Sequence, residues 1–186
     1  MNPSCITSGR ILASYHLFLK DYETASEIAR ATVEALQKLR KDADIVIIAP
    51  EISLRVLLAT ALIHYQAPKH HPQARQLFDA VLAQKPNSIE ALVGKGRVAL
   101  EAQELNEAID FTSRALQLDP NNVDAKMEYA WALVLSGRAE EGKAQLKETL
   151  PLIDGRDAHS RDLLAEIWWR LGKCLWEEGH PVSQPL

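Results

Sequence analysis

The sequence predicts an all-α chain: a right-handed α-solenoid of about 4.5 helix-turn-helix repeats. Three observations predict it. Landmarks of unrelated chemistry recur every 34 residues, namely Pro86 and Pro120, then Ala74, Ala108 and Gly142, then Gly96 and Ala130. That period suits two helices and two turns per unit. The composition, 47% hydrophobic and 25% charged, is that of a chain able to bury a core. Finally, "AEIWWRLGKCLWEEG" at 165–179 places its apolar residues at the spacing of an amphipathic helix.

The clearest unit is 89–122. Leu92 is the large residue of its first helix, and Gly96 the small residue where neighbouring helices come close. Ala108 and Ala115 do the same on the second helix. Pro120 stops that helix, because proline lacks the donor and biases the preceding residue away from helical geometry. This unit resembles the tetratricopeptide repeat family, which implies stacked helix pairs with a concave face that holds peptides or partner proteins.

The other units follow from this one. The first, at about 6–43, has "LKDYETA" as its inter-helix turn and Ala25 as its small residue. Ala25 to Ala74 is 49 residues, 15 more than one period, so the second helix should be extended, with the excess running through "DIVIIAPE". The second unit, 51–86, should end its first helix near Tyr65 and start its second near Pro72. Proline suits a first turn because its missing N–H has no intrahelical partner there anyway. In the fourth, 123–154, Tyr129, Ala130 and Leu133 take core positions, Lys126 stands where a large apolar residue is usual, and Gly142 replaces alanine. That glycine should weaken its helix by about 0.5–1 kcal/mol, and Pro151 should end or kink it. A partial unit at 162–179 carries three of the four tryptophans, with Trp168, Leu171 and Gly172 in core phase. The whole of 1–186 reads as one array, cut from a longer one, so the last helix should expose apolar surface and favour self-association.

Several function classes are excluded or disfavoured. The net charge of −4, with both signs interspersed, gives no general attraction for nucleic acid. Cys5 and Cys174 lack metal or redox spacing and read as free thiols. The six histidines form no His-x-x-x-His pair, and no phosphate loop, dinucleotide fingerprint or nucleophile elbow occurs. Neither catalysis, nor a metal, nor a cofactor is therefore expected. No signal peptide or membrane span is read either, since the longest apolar run is "IVIIAP".

The candidate binding residues are those that repeat phase directs to the concave face: Arg97, Met127, Trp131, Trp169, Lys173 and Trp176, after Ala59 and Ile63 in an earlier unit. Large aromatics flanked by Arg97 and Lys173 suit a groove with aromatic anchors. The competing reading is that further repeats, or the insert at 155–164, cover the tryptophans. The carboxylate clamp of chaperone adaptors is not matched, because its positions hold Arg10, Ser14, Thr60, Glu90 and Gly94.

Three stretches go beyond the generic repeat. "ILASYHLFLKDYETASEIAR", "LLATALIHYQAPKHHPQARQLFDAVLAQKP" and "RDLLAEIWWRLGKCLWEEG" resemble, in this order, the large tetratricopeptide subunits of fungal superkiller complexes. That resemblance implies an internal part of a longer scaffold, located in the cytoplasm with a nuclear pool open. Its implied partners are a DExH-box RNA helicase and a WD-repeat subunit, in a complex feeding messenger RNA to the exosome for 3′-to-5′ decay.

Overall fold

The computed structural model describes residues 3–43 and 48–179. Among them are nine α-helices and one 3₁₀ turn, with no strand. They are α1 (Pro3–Phe18), α2 (Tyr22–Ala43), α3 (Ile48–His64), α4 (His71–Gln84), α5 (Ile89–Glu101), α6 (Leu105–Leu118), α7 (Val123–Leu135), α8 (Ala139–Thr149) and α9 (Ala158–Gly179). The chain divides into two compact units, 1–98 and 99–186, with the division inside α5.

In the first unit α1 packs on α2, α2 on α3, α3 on α4, and α1 also on α3. Its main core joins Ala13, Ala29, Leu58, Leu62, Phe78, Val81, Ala91 and Val98. Two glycines set the helix approach. A Cβ on Gly9 would lie 2.2 Å from the Thr32 hydroxyl, and one on Gly94 would lie 2.2 Å from the fully buried Phe78 ring. The extra length expected after the first turn is partly α2 itself, 22 residues long. Asp44–Ile47 of "DIVIIAPE" lie outside the described residues, and Ile48–Glu51 already belong to α3. Ala59 and Ile63, expected on an open concave face, are instead buried in this core. The face of α3 that repeat phase left open is the one its neighbours cover.

In the second unit α6 packs on α7, α7 on α8, and α9 on both α7 and α8. One core cluster joins Ala99, Leu100, Ala108 and Ala132, and another joins Met127, Ala130, Leu146, Ile167 and Leu171. Asn122 caps α7 by accepting a hydrogen bond from the Ala125 amide. The Pro151 expectation holds: α8 stops at Thr149 and Leu150–Leu152 form a 3₁₀ turn.

The short inter-helix turns share one stop signal. After α1, α5 and α7, the chain enters the left-handed region at Lys20 (φ 60°), Gln103 (φ 61°) and Gly137 (φ 86°). Two amides then fold back at each: Gln103 donates to Leu100 and Glu104 to Ala99, as Gly137 does to Val134 and Arg138 to Leu133. Those paired bonds satisfy the helix's last carbonyls. Gln103 and Gly137 are one period apart, but only the glycine adopts this conformation without Cβ strain. Gln103→Gly should therefore stabilise the chain by about 0.5–1 kcal/mol, net of the extra freedom it gives the unfolded chain. A chemical denaturation midpoint unchanged or lowered by the substitution would contradict this.

Candidate protein-interaction surface

The surface is built on α9, so its attachment comes first. Asp157 caps the helix: one carboxylate oxygen accepts from the Ser160 hydroxyl at 2.7 Å, and the other from the Ser160 amide at 2.9 Å. These bonds, the hydroxyl's first, hold the Asp157 carboxyl below the usual carboxylate range. One arc of α9, comprising Ile167, Arg170, Leu171 and Cys174, is buried. Arg170 is the polar member of that arc. Its Nη1 donates to the Met127 carbonyl at 2.8 Å, and its Nη2 reaches Glu128 at 3.2 Å and Glu166 on its own helix. Arg170 is 6% exposed and Glu128 2%, so this ion pair sits within the α7–α9 contact.

The opposite arc is open and apolar. Trp168 is 61% exposed, Trp169 62%, Leu175 62% and Trp176 66%. Trp131 of α7 is half-buried, its ring centroid 6.2 Å from that of Trp169 at a tilt of 46°. The Lys173 ammonium lies 5.3 Å from the Trp131 ring and 5.7 Å from the Trp169 ring, while the Arg170 guanidinium lies 5.4 Å from Trp131. Two cations thus hold one indole in place, each contact contributing about 0.5–1 kcal/mol.

Of the candidate binding residues, Trp131, Trp169 and Lys173 come together. Trp176 lies farther along the exposed face of α9, and Arg97 is half-buried on α5 in the first unit. Met127 is a correction: it is fully buried against Leu146, Ile167 and Leu171 and presents nothing to a ligand. Trp168 is a second, because it stands outside while Ile167 takes the core position expected for it. The insert does not cover the tryptophans; residues 158–164 form the first turns of α9, and Leu163 packs on the core. Arg170 and Glu128 were missed. The available signal was an arginine between Ile167 and Leu171 on an otherwise apolar arc.

Four of the six histidines have local side-chain contacts. His16 Nδ1 lies 3.0 Å from Asp21, His71 Nε2 lies 3.0 Å from the Ile63 carbonyl, and His64 and His70 stack on Tyr22 and Tyr65. Among the described residues, no group of three or more His, Cys, Asp or Glu is placed to hold a metal ion. No helix there is long and apolar enough to cross a membrane.

Residues 99–167 match the tetratricopeptide repeat family profile. The fold is that of tetratricopeptide repeats. Solved structures with this repeat architecture agree along most of the chain. A thermophilic tetratricopeptide protein of Thermus thermophilus superposes with a TM-score of 0.57 at 15% identity, covering 92% of this chain and 99% of its own. A mutant of MamA gives 0.56 at 17% identity, covering 95% and 92%. In sequence the repeats are similar to Superkiller protein 3 of Saccharomyces cerevisiae, at 29% identity over 168 residues. Superkiller protein 3 of Schizosaccharomyces pombe shows 28% identity over 171 residues. The chain is covered to 90% and 91%, and spans 12% of either relative's length. The repeat fold and this similarity support a protein-interaction scaffold, and no catalytic family is indicated among these matches.

Proposed function

We propose that this chain works as a scaffold element of a cytoplasmic superkiller-type complex. There it helps to hold a DExH-box RNA helicase and a WD-repeat subunit together, in the assembly that passes messenger RNA to the exosome for 3′-to-5′ decay. The observation that carries the proposal is similarity to Superkiller protein 3 of two yeasts across nine-tenths of the chain. A generic repeat would share helix-packing positions with many proteins, as the structural neighbours do at 15–18% identity. Its role is binding rather than chemistry, with no direct contact to nucleic acid.

The second reading is an adaptor that binds an extended peptide, favoured by the partly open Trp131, Trp169 and Lys173 cluster. Co-purification of the tagged chain with mass spectrometry separates the two. The scaffold reading expects a helicase and a WD-repeat protein, with recovery unchanged in a Trp169→Ala, Lys173→Ala variant. Recovery of a chaperone or a single peptide-bearing client, abolished by that variant, would replace it with the adaptor reading.

A further inference from the structure

The turn between α3 and α4 differs from its counterparts. Those after α1, α5 and α7 are three residues long, Leu19–Asp21, Ala102–Glu104 and Ser136–Arg138, whereas Tyr65–His70 has six. The extra length adds nothing to the core, since Gln66, Ala67, Pro68 and Lys69 are all exposed. It is built instead around one side chain. The His70 ring stacks on the Tyr65 ring, with centroids 5.4 Å apart and planes 3° from parallel. The Gln66 side-chain amide donates to the Tyr65 hydroxyl at 3.2 Å, and the Lys69 ammonium donates to Gln66 Oε1 at 3.0 Å. Two backbone bonds, Lys69 to Gln66 and His71 to Pro68, close the turn. Thus supported, Tyr65 reaches the preceding helix pair, where its hydroxyl donates to Glu23 Oε1 at 2.8 Å. That bond first, then burial and the Glu23 and Glu27 charges, hold the Tyr65 phenol above its ordinary range. Beside it, His64 at the end of α3 stacks on Tyr22, the first residue of α2, with centroids 4.7 Å apart. The residues in the place of Tyr65 after α1, α5 and α7 are Leu19, Ala102 and Ser136, and none of them can make this reach.

We propose that this turn is a strap that locks the second helix pair onto the first, with Glu23 as the catch, Tyr65 as the tongue and the longer turn as the backing that holds Tyr65 in place. Helix pairs in a repeat array contact mainly their neighbours, so the angle between two pairs is set where they touch. Away from the strap, α2 and α3 meet through apolar side chains: Val33 and Leu36 share a buried cluster with Leu54, and Ala29 shares one with Leu58 and Leu62. The strap acts at the opposite end, where α2 begins and α3 stops. Its contacts are polar and partly exposed, so this is the end at which the two pairs part first. Each contact alone is weak, because an exposed hydrogen bond largely replaces one to water. His64 and Tyr65 are consecutive, however, and they meet the consecutive residues Tyr22 and Glu23, so both contacts close the same gap. A closed strap fixes the angle between the pairs, and an open one lets them hinge about the apolar contact.

Native-state amide exchange of the full chain reads the strap locally. The Ala25, Tyr65 and His71 amides, which donate to Asp21, Ala61 and Pro68, report on the strapped end. The Gly142 amide, which donates to Arg138 in the second unit, is the control. Tyr65→Phe keeps the ring and its His70 stack but loses the hydroxyl, and should speed exchange at the three reporters about threefold while Gly142 stays unchanged. Glu23→Ala should act in the same direction. The double variant should exchange no faster than the faster single variant, because both substitutions break one bond. Removing Ala67–Lys69 gives the turn the length of its counterparts, and in that chain Tyr65→Phe should leave the Ala25 amide unchanged. Circular dichroism of each variant checks that the helices are retained. Unaltered exchange in Tyr65→Phe overturns the proposal, as do additive effects of the two substitutions. Equal acceleration at Gly142 overturns it too, because the loss would then be global. A full Tyr65→Phe effect in the shortened chain overturns the backing role of the turn.

Discussion

Arg170→Ala is expected to destabilise the α7–α9 contact by about 3–5 kcal/mol, because it leaves a buried carboxylate without its countercharge. Three groups lose a donor at once: the Met127 carbonyl, the Glu128 carboxylate and Glu166. Glu128 is the costly one, since it is 2% exposed and cannot turn to water without opening the contact. The effect should be local before it is global. The helix is attached by a short apolar arc, Ile167, Leu171 and Cys174, so it detaches while the helices before it stay folded. Cys174 reports this directly. In a Cys5→Ser background its thiol should react slowly with an aromatic disulfide reagent in the parent chain and at least tenfold faster in Arg170→Ala. Arg170→Met with Glu128→Leu removes both charges and should recover most of the stability, as apolar replacements of whole ion pairs do. If Arg170→Ala leaves both the denaturation midpoint and the Cys174 rate unchanged, the pair does not hold α9.

This ion pair also marks where the fold stopped being legible. The period came from residues whose effects are short-range. Pro120 and Pro151 end helices by local sterics, Pro72 starts one, and Ala74, Ala108 and Ala115 allow close approach wherever a neighbour lies. Such signals survive without knowledge of tertiary partners, and the structure places those alanines in the core. The phase of α9 does not come from local chemistry. Its sequence has one apolar arc of Ile167, Leu171 and Cys174 and another of Trp168, Trp169, Leu175 and Trp176, the second more hydrophobic in bulk. The arc that carries an arginine is buried because Glu128, 42 residues earlier, meets it there. A charge with its partner on another helix cannot be told from a solvated one by spacing alone. The same difficulty misplaced Met127, which faces Ile167 and Leu171, residues that come forty and more positions later. Within the candidate site, Trp131, Trp169 and Lys173 were legible because aromatics in excess of core needs stand out even when their exact phase does not.

Gly142 and Gly172 exchange roles between the sequence and the structure, and their alanine substitutions should move stability in opposite directions. Helix propensity alone makes either change favourable by about 0.5–1 kcal/mol, since alanine has less backbone entropy to lose. At Gly172 nothing opposes this, because an added Cβ meets no atom within 4 Å. Gly172→Ala should therefore stabilise by about that amount, measured at sub-micromolar concentration so that self-association does not enter. At Gly142 the added Cβ would lie 2.5 Å from the Ala130 carbonyl oxygen, 2.5 Å from the Val134 side chain and 3.0 Å from the Val134 amide nitrogen. A valine rotamer can turn away, but the carbonyl belongs to the α7 backbone and moves only if α7 and α8 separate. Overpacking of this kind costs about 1–3 kcal/mol, which outweighs the propensity gain. The glycine that departs from the alanine usual in such repeats is thus what lets these two helices pack as closely as they do. Gly142→Ala should lower the denaturation midpoint, and Val134→Ala in the same chain should recover only the part owed to the side chain. A Gly142→Ala chain as stable as the parent would mean that α7 and α8 yield at no cost, and that propensity rather than close packing governs this position.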